Sequence, residues 1–188
     1  MIRKKFVNVK KNTVIYYELT NLNIEIMKKV LLFTIFAVVA ITGVKAQSGF
    51  KVGADLGLPL GDIKDSYTLN IAVNLTYLWE VAEEFDAGFS AGYSHYIGDT
   101  FEGFKFDDAG FLPIAAAGRF NASEDFTIGI DLGYAIGVSP SENDGGFYYA
   151  PKIQYGVSDS IDIVLIYKGV SVTGGTFSSL NLGVEFGM

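Results

Sequence analysis

The chain has 188 residues, of which 49% are hydrophobic; Gly (22) and the aromatics Tyr (11) and Phe (15) are abundant and Pro (4) is scarce, a composition suited to one domain of strands and tight turns. The absence of cysteine excludes a disulfide framework, a thiolate metal site, a cysteine nucleophile and lipid attachment at a lipobox cysteine. Residues 1–46 hold eight Lys/Arg against two acids, which leaves the remainder six bases and nineteen acids, a formal net of −13; so acidic a body lacks the basic footprint of nucleic-acid binding.

Met27-Lys-Lys, an apolar run from Val30 to Val44, and Val44-Lys45-Ala46 ahead of Gln47 form the three parts of a secretory signal peptide over 27–46: basic start, short apolar stretch, small residues flanking a cleavage site. The alternative is a transmembrane anchor, but the apolar run is shorter than the roughly 20 residues that span a bilayer as a helix. Residues 1–26 have no place in such a peptide and are expected to be an upstream extension ahead of the true start at Met27, with a genuine cytoplasmic extension as the alternative.

The mature chain, 47–188, alternates apolar and polar residues with the period of two that puts successive strand side chains on opposite faces. The first strand is predicted from Phe50 to Leu58, and the second, Thr68 to Glu80, is the reference for the rest. On it Leu69, Ile71, Val73, Leu75, Tyr77 and Trp79 form one face, and Thr68, Asn70, Ala72, Asn74, Thr76 and Glu80 the other. It exceeds the 5–6 residues of a common soluble strand and reaches the ~9–11 tilted residues that cross hydrocarbon. Val81–Glu84 makes a short turn into Phe85–Ile97. A longer polar loop, Gly98–Asp108, leads to Phe111–Phe120, where Pro113 lacks a ladder donor and suggests an edge or bulge. After Asn121–Asp125 comes Phe126–Gly137, the most regular strand. The loop Ser139–Gly146 precedes Phe147–Val157, with Lys152 and Gln154 on the polar face. Ile161–Lys168 and Ser179–Phe186 complete the set, the latter two separated by a loop over Ser171–Thr176. Short connections alternate with longer ones, and eight strands is an even number.

Alternation is symmetric, so the inside must be argued from volume. An interior built from the Phe, Tyr, Trp, Leu and Ile of eight strands is too bulky for a barrel of that size. The opposite parity, rich in Gly and Ala, fits a narrow lumen. Its charges are balanced: Lys51, Arg119, Lys152 and Lys168 against Asp55, Asp86, Asp131, Asp162 and Glu185. Buried charges persist when paired, so these nine are expected to form a salt-bridged plug. Tyr77, Trp79, Tyr93, Tyr134, Tyr155 and Tyr167, near strand ends on the apolar parity, are expected to form aromatic girdles at the two membrane surfaces.

The signal peptide ahead of Gln47, the eight amphipathic strands and the terminal Leu180-Asn-Leu-Gly-Val-Glu-Phe186 resemble the small outer-membrane β-barrels of Gram-negative bacteria, the OmpA/OmpX-like barrels and the outer membrane protein beta-barrel domain group. The resemblance covers the whole mature chain. It implies an all-β, eight-stranded antiparallel up-and-down transmembrane barrel, an outer-membrane location, the lipid bilayer as surroundings and the barrel assembly machinery as a partner. In the family a terminal aromatic is the assembly signal; here Phe186 is followed by Gly187 and Met188.

His95 is the one histidine and falls on the outward parity, where a girdle position is expected rather than a hydrolase or protease site. Asp99, Glu102, Asp107 and Asp108 could hold a divalent cation, though such runs are more often a solvated face. Phe101, Phe104 and Phe106 are read as a hairpin projecting past the membrane, with adhesion as the other reading. No catalytic residue, cofactor or metal site is expected, and the partner of the outer loops is not legible. A structural or interaction role in the envelope leads. A narrow porin-like or small-ligand-binding barrel is the alternative, and a soluble lipocalin-like barrel a third.

Overall fold

The computed structural model describes residues 49–101 and 104–188; the signal peptide and the upstream extension lie outside them. Eight long strands close into a barrel: β1 (Gly49–Leu60), β2 (Tyr67–Ala82), β3 (Phe85–Gly98), β6 (Ala109–Asn121), β7 (Phe126–Ser139), β8 (Gly146–Ser158), β9 (Ile161–Val172) and β10 (Gly175–Gly187). Two short strands, β4 (Thr100–Phe101) and β5 (Phe104–Lys105), form a separate hairpin in the long connection. Each barrel strand pairs antiparallel with its chain neighbour, and β1 meets β10 in a ten-pair ladder from Lys51↔Gly187 to Leu60↔Ser178. Closure leaves no free edge, the only way a sheet can satisfy its backbone inside hydrocarbon.

The barrel strands run 12 to 16 residues, longer than a tilted crossing requires, so their ends project beyond it. Both chain ends of the barrel and the tight turns at Glu83-Glu84, 122–125 and 159–160 gather at one end, hereafter the turn end. The loop end carries a 3₁₀ turn at Gly61–Ile63, the β4–β5 excursion, residues 140–145 and a two-residue Thr173-Gly174 turn. That last turn is tighter than the Ser171–Thr176 loop predicted, because β9 and β10 pair out to Val172↔Gly175.

Pro113, expected to mark an edge or a bulge, marks no edge, and the register irregularity of this strand against β7 falls nearby at Gly110/Phe111. Pro113 lies within a strand paired on both sides, not at an edge. Its pairing with Ala135 of β7 is intact, whereas the β3 ladder stops at Ala91↔Ile114 and resumes at Ser94↔Phe111. The missing N–H is therefore absorbed as a short gap in one ladder.

Candidate functional site

The outer wall is apolar around its whole circumference: Leu58, Phe89 and Leu182 are 65%, 64% and 60% exposed, and every barrel strand contributes large hydrophobics to this face. A surface of that extent is unstable in water and stable against lipid chains. The six girdle aromatics all lie on it and divide by end. Tyr77, Trp79 and Tyr155 stand toward the turn end, where the Phe50–Tyr77 and Trp79–Phe89 rings approach to 4.9 and 5.6 Å. Tyr93, Tyr134 and Tyr167 stand toward the loop end, and the Tyr134 hydroxyl donates to the Asp144 carbonyl at 3.0 Å. Tyr149, not singled out from the sequence, lies over Gly169 on the adjacent strand, its ring filling the place of the missing side chain.

The lumen is the candidate site, and the nine charged residues all point into it. Toward the turn end, Lys51 Nζ pairs with Asp162 Oδ2 at 2.8 Å. Deeper, Asp131 accepts from Arg119 Nη1 at 2.7 Å and from Lys152 Nζ at 2.9 Å. Lys152 also reaches Glu185 at 3.5 Å, and Gln154 Nε2 donates to the same carboxylate at 2.7 Å. At mid-barrel Asp55 accepts from Lys168 Nζ at 2.7 and 2.9 Å, from Asn74 at 2.7 Å and from Asn181 at 2.6 Å. Asn181 also donates to Asn70, which in turn donates to Ser94. These contacts join β1, β2, β3, β9 and β10 across the barrel's closing seam.

Asp86 is the exception. It sits directly across from Arg119, yet among the described residues it makes no ion pair and accepts instead from Asn121 Nδ2 at 2.9 Å. Arg119 is drawn to the other side by Asp131. The amides that complete the network, Asn70, Asn74, Asn181 and Gln154, lie on the polar parity. The sequence places Asn70, Asn74 and Gln154 on that face without a role, because an uncharged amide carries no pairing signal until its partners are known.

The polar parity is not polar throughout. Tyr96, Phe111, Ala135, Tyr148, Val164, Ile166 and Val170 are inward and buried, with Ile63 of the 3₁₀ turn among them and Tyr67 and Phe177 packed on top. Tyr96, Phe111 and Phe177 form a triangle of edge-on rings with centroids 4.9–6.0 Å apart, a favoured aromatic geometry. The Tyr96 hydroxyl lies 3.2 Å from that of Ser179. The gap between Ser94, Phe111, Tyr148 and Lys168 leaves no room for a water molecule. The expected salt-bridged plug is thus half of the filling, and a dry aromatic plug is the other half.

At the loop-end rim His95 bridges the Tyr93 hydroxyl and Asp108 Oδ2, each at 3.1 Å. Asp108 also accepts from the Gly98 N–H at 2.9 Å, and chiefly through that bond its carboxyl titrates below the usual carboxylate range, with the His95 hydrogen bond second. Asp99 accepts from the Thr100 N–H at 2.7 Å. Among the described residues no three potential ligands converge on a cation position; Glu102, and the side chains of Phe101 and Phe104, lie outside the described residues.

No family model matches the sequence, and no curated protein is significantly similar to it. Its likeness is to solved structures. The outer membrane protein Ail of Yersinia pestis, in a phospholipid nanodisc, superposes with a TM-score of 0.54 at 15% identity, covering 76% of this chain and 100% of that one. The fold is that of a small transmembrane β-barrel. The N-terminal β-barrel domain of Pseudomonas aeruginosa OprF gives 0.53 at 12% identity, covering 76% and 100%. A de novo designed transmembrane β-barrel gives 0.51 at 12%, covering 77% and 100%. A designed barrel among the matches indicates that the likeness is one of fold.

Proposed function

We propose that this chain is a non-enzymatic outer-membrane barrel of a Gram-negative envelope, with a structural or interaction role. In this reading the loop end faces outside and the turn end faces the periplasm, and the barrel assembly machinery inserts the chain. The observation that carries it is the pairing of a continuous apolar wall with a lumen filled by buried ion pairs and buried rings. Such a lumen favours a structural or loop-presenting role over a diffusion pore. The likeness to Ail and to the OprF barrel domain supports the location, and a secretory signal peptide would supply the route.

The test is fractionation of cells expressing the full chain, followed by gel electrophoresis of the outer-membrane fraction with and without boiling. A membrane-bound protein whose unboiled band migrates faster supports the reading. Recovery in the soluble periplasmic fraction, with no shift, would mean that the apolar wall is not lipid-facing.

A further inference from the structure

The two halves of the lumen differ in what water gains by entering them. Tyr96, Phe111, Tyr148 and Phe177 each stand two residues from the loop-end terminus of their strand. Arg119, Glu185 and Lys51 each stand two residues from the turn-end terminus of theirs. Within the ion-pair tier the buried Arg119 Nε and Nη2 and the buried Gln154 Oε1 have no hydrogen-bond partner among the described residues. These are donors on one wall and an acceptor on another, and a buried group of this kind is costly until something pairs it. Water is close by. The Lys51 and Asp162 side chains at the turn-end mouth are 22% and 21% exposed, and Asp162 is directly across from Glu185. A small rotation of long side chains would let water reach Arg119 and Gln154, and each hydrogen bond formed would offset the opening. In the aromatic tier there is no such gain, since a polar site is what holds a buried water.

We infer that the permeability barrier of this barrel is the aromatic tier at the loop end, while the ion-pair tier below it takes up water from the turn end. The inference rests on the barrel reading above. An ion crossing from the turn end would meet charged partners as far as Lys168, whose side chain lines the underside of the aromatic plug. Beyond Lys168 lie the packed rings of Tyr96, Phe111 and Phe177, where the Tyr96 hydroxyl is engaged with Ser179 and the ring edges replace little of an ion's hydration shell. The ion pairs therefore hold the walls together, and the rings close the pore.

The chain contains no cysteine, which permits a direct test on the full-length protein in its membrane. Gln154→Cys and Ala135→Cys, one in each tier, are exposed to a small water-soluble methanethiosulfonate. Gln154→Cys is expected to react at least tenfold faster; equal rates would overturn the inference. In parallel, the wild type and the Phe111→Ala/Phe177→Ala variant are recorded in planar bilayers in potassium chloride. The wild type is expected to be silent and the variant to conduct in discrete steps. A conducting wild type, or a silent variant that keeps the heat-dependent gel shift, counts against it. If the variant loses that shift, the cysteine pair decides alone. Loss of the shift in the wild type removes the barrel reading itself and takes the inference with it.

Discussion

Asp55 is the residue on which the lumen depends most. Its carboxylate accepts from one ammonium and two amides contributed by β2, β9 and β10, so the charge is buried with its acceptor sites filled. Removing one member of a buried pair strands the other, at a cost of about 3–5 kcal/mol. Lys168→Met is expected to lower barrel stability by that amount, read as the urea midpoint of the gel shift. Lys51→Met, whose partner Asp162 is partly solvated, is expected to cost less than about 1 kcal/mol. Equal losses would mean that burial does not set the value of these pairs.

The rim contact at Asp108 gives a second prediction at this scale. Its folded-state pKa lies below the ordinary value of 3.8, first because the Gly98 N–H donates to the carboxylate. The contribution is therefore complete above the unfolded value and fades as pH falls through the lower, folded one. Exchange of the Gly98 amide, measured against pH, is expected to show protection that persists above pH ~4 and weakens below it. Asp108→Asn should remove that dependence, and if it survives in the variant another group is holding the loop.

Strands were legible because each needs only a period of two, and the outward set from Leu69 to Trp79 is apolar without a break. What the pattern could not give was the composition of the inner face. Tyr96 and Phe111 fall on the inward parity, but each lies beside a loop, where an aromatic is equally readable as a strand end. Only the register Tyr96↔Ala109, with Phe111 two residues further along β6, puts their rings in one layer with Phe177. The edge reading of Pro113 failed for a related reason, since a missing donor signals an edge only where an edge can exist.

Close approach between strands sets apart two glycines. A Cβ at Gly88 would overlap the backbone carbonyl of Tyr77 on β2, whereas one at Gly169 would meet the ring of Tyr149. Backbone in a closed ladder cannot move aside, while the end of a tyrosine can. Gly88→Ala is thus expected to lower the urea midpoint by the equivalent of about 1–3 kcal/mol, the range for overpacking a filled interior. Gly169→Ala is expected to cost less and to leave the barrel closed. The reverse order would mean that the Tyr149 ring is fixed in place more firmly than the β2–β3 ladder.

For the whole molecule, the formal charge of −13 after residue 46 is not spread evenly. The lumen charges nearly cancel, four bases against five acids, and the outer wall of the strands carries few charges. The excess therefore collects at the two ends: Glu83, Glu84, Glu124, Asp125 and Asp159 at the turn end have no basic residue in the same turns. Like charges confined to a narrow ring repel, and the repulsion is relieved when the chain unfolds. Salt screens exposed charges strongly and buried ones weakly, the screening length falling from about 30 Å at 0.01 M to about 8 Å at 0.15 M. The buried pairs of Asp55 and Asp131 should hardly respond, so the rings decide the sign. In zwitterionic vesicles the urea midpoint is expected to rise between those two salt concentrations, and Glu83→Gln/Glu84→Gln should flatten the rise. A midpoint that falls with salt would assign the dominant electrostatic contribution to solvated attractions such as Lys51–Asp162, and the acidic rims would then be neutral in their effect on stability.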